Sequence, residues 1–132
     1  MKHIKLFENY LKEIENIFKD IKNHKIGDII SYTTLYNYVD ALHDFEMNND
    51  FIEEHILKYP KFKLVELNIE DLELDQISPS LVNDYIDMYK ENNWYPPIIY
   101  DVDEGIVDGY HRTTALNKMG VEKVLAWVGV ES

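Results

Sequence analysis

The sequence predicts an α+β protein: a small mixed β-sheet with packed helices over residues 61–132, preceded by an α-helical region over residues 1–60. Three observations carry that expectation. An apolar series at 3- and 4-residue spacing opens the chain. A period-two series begins at Phe62. Beyond it, short strand-type and helix-type runs alternate, separated by glycine, proline and asparagine.

Taken in order, Ile4, Phe7, Leu11, Ile14, Phe18 and Ile21 predict a helix over residues 3–23 with one apolar seam, which Leu6, Tyr10 and Ile17 widen. The seam packs within the chain, or it forms a homodimer or partner interface, since about three heptads is the shortest run that supports a coiled coil. Gly27-Asp28 breaks the pattern. A second helix is expected over 33–45, burying Leu35, Tyr38, Val39 and Leu42, and a third over 50–57 with Asn49 as N-cap. Tyr59-Pro60 closes this half. Tyr32, Tyr36, Tyr38 and Tyr59 read as packing residues, because no basic residues are interleaved with them as a base-stacking platform requires.

Residues 62–69 alternate apolar and polar and predict a strand; residues 70–76 form an acidic loop. Ser78-Pro79 reads as an N-cap followed by proline at the first helical position. The helix it opens presents Leu81, Val82, Tyr85, Ile86 and Tyr89 on one face and stops at Asn92-Asn93. Pro96-Pro97 gives a rigid entry to a strand at 98–100; residues 101–105 turn, and 106–108 return as the hairpin partner. A helix from Arg112 to Met119 ends at Gly120, a suitable C′ residue, and residues 124–128 form the last strand. The second half thus reads β, α, β-hairpin, α, β, a mixed unit in which sheet and helices cover each other's apolar faces.

Composition excludes several classes. With no cysteine there is no disulfide framework, thiolate nucleophile or thiolate metal site. No run of about 18 apolar residues exists to span a bilayer, and the amphipathic, acid-containing N-terminus lacks a signal peptide's apolar stretch. A cytoplasmic location is the default expectation. The net charge of −12 makes duplex DNA a poor partner, because affinity there comes from neutralising phosphates. Such a surface is either simply solvated or docks a basic partner.

Arg112 is the only arginine, and it lies in Asp108-Gly109-Tyr110-His111-Arg112-Thr113-Thr114. A strand, a glycine turn and a helix start place backbone N–H groups, the His111 and Arg112 donors and the Thr113 and Thr114 hydroxyls around one point, which suits a phosphate, a sulfate or a carboxylate. Asp108 holds a metal, acts as a base or caps the helix; Arg112 alternatively pairs with a local acid. Asp101-Val102-Asp103-Glu104-Gly105 looks like the start of a calcium loop, but the twelfth position is Arg112 rather than glutamate, so a hairpin turn is expected. His3, His24, His43 and His55 lack zinc-site spacing and are assigned surface or packing roles.

Pro96-Pro97-Ile98-Ile99, then Ile106-Val107-Asp108-Gly109-Tyr110-His111-Arg112-Thr113-Thr114-Ala115-Leu116, then Met119-Gly120-Val121, resembles the ParB/sulfiredoxin-like superfamily over about residues 61–130. The resemblance implies that Gly109, Tyr110, His111, Arg112 and Thr113 cradle the phosphates of a nucleotide, ATP or CTP, with Mg²⁺ on Asp108 and, more weakly, on Asp101 and Asp103. By likeness to its serine-kinase members, Glu73 or Asp75 would be the general base beside His111. Two departures narrow the choice. Tyr110 stands where sulfiredoxins carry their cysteine, and the second arginine motif of full partition proteins is missing. Three readings remain: a nucleotide-dependent phosphotransferase or NTPase; a non-enzymatic acidic interaction or inhibitor protein, with a protein-binding or DNA-mimic surface; and a ParB-like nuclease. An accessible Arg112 facing a carboxylate across a cleft favours the first. An Arg112 locked to a local acid favours the second.

Overall fold

The computed structural model describes residues 16–17, 19–42, 54–74, 79–92 and 95–131. Its elements are β1 (Ile29–Ser31), α1 (Tyr32–Leu42), β2 (Lys61–Asn68), a 3-10 turn (Ile69–Asp71), α2 (Pro79–Asn92), β3 (Ile98–Asp101), β4 (Gly105–Asp108), α3 (Tyr110–Lys118) and β5 (Lys123–Val130). The fold is α+β, as the sequence predicts. Residues 16–17, 19–22 and 54–57 are also helical. The expected helices over 3–23 and 50–57 lie partly outside the described residues.

The strands form one sheet in the order β1-β2-β5-β3-β4. β1–β2, β2–β5 and β3–β4 are antiparallel, whereas β3–β5 is parallel. A parallel neighbour needs a crossover, which β4 and α3 supply between β3 and β5. The long β2–β5 ladder runs from Lys61↔Val130 to Asn68↔Lys123 and places β5 near the middle of the sheet.

Period-two alternation sends neighbouring residues to opposite faces. Ile99, Val107, Trp127, Phe62 and Leu64 face one core with Ile21, Ile30, Leu35, Tyr38, Val39 and Ile56. Ile98, Ile106, Ala126 and Val124 face the other with Val82 and Tyr85 from α2 and Ala115 and Leu116 from α3. Burial of these side chains, about 1.5–3 kcal/mol for each valine, leucine, isoleucine or phenylalanine relative to exposure, drives the assembly.

β1 is a finding that sequence periodicity misses, because three residues are too few to show a period. Its alternation is nevertheless present: Ile30 is 6% exposed and Ile29 is 56% exposed. The chain is pinned there by Gly27 N–H to Leu64 O and Leu64 N–H to Asp28 O, both at 2.8 Å. The region before residue 60 therefore contributes an edge strand to the sheet and side chains to one of its cores.

The termini of the helices follow local chemistry. Ser31 Oγ accepts from Thr34 N–H at 3.2 Å and caps α1. Pro79 is the first residue of α2, where its missing N–H is harmless. α3 ends in a Schellman motif: Val121 N–H bonds Leu116 O at 3.0 Å, and Gly120 N–H bonds Asn117 O at 3.1 Å, with Gly120 at φ +80°. Among the described residues, no helix is long and apolar enough to cross a membrane.

Candidate functional site

Asp108 ends β4, and Gly109 turns the chain into α3. Gly109 has φ +116°, and a Cβ there would overlap Ile98 Cγ2, so both the backbone angle and the packing require glycine. Thr113 is fully buried; its hydroxyl donates to Gly109 O at 2.7 Å, and its N–H bonds the same carbonyl at 2.9 Å. Thr113 thus stitches the first turn together and does not turn outward.

Arg112 is 6% exposed. Its Nη2 donates to Asp108 Oδ2 at 2.6 Å, the short distance of a charge-assisted bond. Nη1 donates to the carbonyls of Pro96 and Pro97 at 3.2 and 3.3 Å. The guanidinium therefore holds together the end of β4, the start of α3 and the entry to β3. The cavity beside it has a volume of about 20 Å³, enough for one water and not for a phosphate group. Its walls include Tyr38, Pro97, Ile99 and Trp127.

Tyr110 and His111, the other residues of the predicted cradle, are half-buried in the first turn of α3. Asp108 is 2% exposed and faces Arg112 rather than capping the helix; Gly109 occupies the N-cap position and offers no side-chain acceptor. Glu73 is exposed on the loop after the 3-10 turn, and Asp75 lies outside the described residues. No hydrogen bond or ion pair among the described residues joins Glu73 to the 108–113 turn. Asp101 and Asp103 lie at the far end of β4, in the β3–β4 turn, where Asp103 N–H donates to Asp101 Oδ1 at 2.9 Å.

Two further arrangements escaped sequence reasoning. Asp20, Tyr38, His24 and Asp28 form a hydrogen-bonded chain: Tyr38 donates to Asp20 Oδ2 at 2.9 Å, His24 Nε2 meets Tyr38 Oη at 2.9 Å, and His24 Nδ1 meets Asp28 Oδ2 at 3.2 Å. Burial, reinforced by Asp20, pushes the Tyr38 phenol above its ordinary pKa. The second is the meeting of His55 with Asp101 and Glu104. Of the surface and packing roles expected for it, His55 takes the buried one, at 2% exposed. Spacing rules within one segment could not find it, because its neighbours come from a hairpin more than forty residues further along.

A groove of about 390 Å³ runs between the end of β2 and the C-terminal end of α3, lined by Asn68, Glu70, Asn117, Gly120 and Glu122. The Ile69 N–H to Glu122 O bond at 2.9 Å joins its walls.

No protein-family model matches the chain, and no curated protein matches it. Among solved structures it is similar to a Pnob8-like ParB-N domain, with 23% identity and a TM-score of 0.42. The likeness covers 51% of this chain and 29% of that one, so it spans under a third of the solved chain.

Proposed function

We propose that this chain is a non-enzymatic interaction protein, an acidic module that docks a basic surface of another protein. The observation that supports this reading above the others is the inward-turned Arg112. Its guanidinium is committed to Asp108, Pro96 and Pro97, with room for only one water beside it. A buried pair of this kind organises the loop and leaves little for capturing a phosphate. The 390 Å³ groove provides the complementary docking feature, since Glu70 and Glu122 on its rim suit a lysine or arginine side chain.

The test pairs two titrations. Thermal unfolding with ATP, ADP, CTP or GTP and Mg²⁺ is expected to show no shift, where a ligand at 100 times its Kd would add about 2.7 kcal/mol. Binding of an oligolysine peptide, followed by fluorescence anisotropy, is expected to weaken with added salt and in the Glu70→Gln/Glu122→Gln double variant. A nucleotide-dependent rise in melting temperature, or oligolysine binding indifferent to both substitutions, overturns the reading.

A second reading keeps the nucleotide site, with ATP or CTP and Mg²⁺ at the start of α3. It is favoured by one observation: the N-cap of α3 is Gly109, which has no side chain to cap the helix, and such an end is suited to an anion. Tyr110 and His111 would then meet the phosphates, Asp108 the metal, and Glu73 or Asp75 would serve as base. The nucleotide titration separates the two readings directly.

A further inference from the structure

His55 presents an imidazole that the fold has buried without satisfying. It is 2% exposed, and neither ring nitrogen has a hydrogen-bond partner. Around it are the rings of Tyr59 and Phe62, at centroid distances of 5.8 and 6.5 Å. Leaving a buried polar atom unmade is costly, and a native site that does so calls for an explanation.

Nδ1 of this ring faces two carboxylates. Asp101 Oδ2 is 3.4 Å away and Glu104 Oε2 is 3.9 Å away. The three ligand atoms lie within 4.8 Å of one another. In a tetrahedral site with bonds of about 2.0–2.1 Å, ligand atoms stand about 3.4 Å apart, so the His55–Asp101 separation is already that of one tetrahedral edge. Glu104 needs only a small inward movement, and at 46% exposure it has the freedom to make it.

Each carboxylate is also oriented from behind. Asp101 uses Oδ1 to accept the Asp103 N–H, which leaves Oδ2 pointing at the ring. Glu104 uses Oε1 for Lys58 Nζ at 3.2 Å, which leaves Oε2 on the His55 side. Outer contacts of this sort hold ligating groups in place in metal sites.

We propose that His55 Nδ1, Asp101 Oδ2 and Glu104 Oε2 bind one divalent ion of the zinc class. One imidazole nitrogen and two carboxylate oxygens suit a borderline ion such as Zn²⁺ or Co²⁺. Three protein ligands leave the fourth position to water, on the solvent side occupied by Glu104 and Lys58. The ion ties the helical turn at 54–57 to the β3–β4 hairpin. It lies at the opposite end of β4 from the 108–113 turn, so it is independent of both readings of function.

The experiment is titration of the untagged, chelator-stripped full chain with Zn²⁺ by calorimetry, with Co²⁺ visible absorption as a check on coordination. One ion per chain is expected. Glu104→Gln, which removes a half-exposed ligand, is expected to weaken binding at least about tenfold. Lys58→Gln, which removes the outer contact that holds Glu104 in place, is expected to weaken it by a smaller factor. His55→Gln is expected to abolish it; if that variant does not fold, the Glu104 and Lys58 pair decides. Absence of binding overturns the proposal. So does binding that neither the Glu104 nor the Lys58 substitution changes, which would assign the ion to other histidines.

Discussion

Arg112 shows how one residue can be read correctly for chemistry and still be turned to another use. A planar fork that fits a phosphate also fits a carboxylate and two carbonyls, and the fold supplies Asp108, Pro96 and Pro97 a few ångströms away. The buried pair is a weak source of net stability, but breaking it strands a charge. Arg112→Ala is therefore expected to cost about 3–5 kcal/mol in urea unfolding, whether or not a nucleotide is present. A loss confined to ligand binding, with stability intact, would contradict the structural role. Tyr38 makes a pH-dependent contribution. Its folded pKa lies above the ordinary 10.0, first through burial and then through Asp20. Above about pH 10 the unfolded chain releases a proton that the native chain keeps, so the stability present below that pH declines as pH rises. Tyr38→Phe is expected to make that alkaline decline shallower, at a cost of about 1 kcal/mol at neutral pH from the lost hydrogen bonds. Equal slopes for the two proteins would show that Tyr38 is not the group responsible. The decline is not expected to vanish, because burial also pushes Tyr95 up to about 12.

At the scale of elements, what was legible in the sequence depended on length. The strand at 62–69, the proline start of α2, the 98–108 hairpin and the glycine stop of α3 each carry several residues of consistent signal, and the structure has them within a residue or two. β1 has three residues and no punctuation of its own, so only its pairing with β2 reveals it. The site divides the same way. The loop geometry around Gly109 was legible because glycine, strand and helix signals coincide, whereas the partner of Arg112 was not, since several acids compete for it in sequence. The His55 cluster was hidden because it joins segments far apart in the chain. β1 offers a paired test of its register. Ile30→Ala is expected to destabilise by about 2–5 kcal/mol, as for a buried aliphatic side chain. Ile29→Ala, on the solvent side, is expected to change stability by no more than about 0.5 kcal/mol. Similar losses at both positions in denaturant melts would mean the strand is not seated as described.

For the whole molecule, the sheet divides the apolar side chains into two cores, and β5 lies between β2 and the β3–β4 hairpin. Trp127 from β5 is buried in one core, and Val124 and Ala126 in the other. β3 and β4 pair across a short turn and β1 pairs β2 across residues 32–60, but β2 and β3 are joined only through β5. A fragment ending at Glu122 is expected to show no cooperative thermal transition, and a sharp one would mean that the β1–β2 and β3–β4 pairs can associate without the central strand. The position of β5 also bears on synthesis. Lys61 pairs with Ser31 on one side but must wait for Val130 to be made before its β5 partner exists, so a ribosome holds two half-sheets with exposed pairing edges until β5 emerges. During that interval the nascent chain is a substrate for chaperones and a hazard for strand-to-strand association with its neighbours. Conditions that slow translation past α3 should therefore lower the yield of folded protein more than its final stability would suggest.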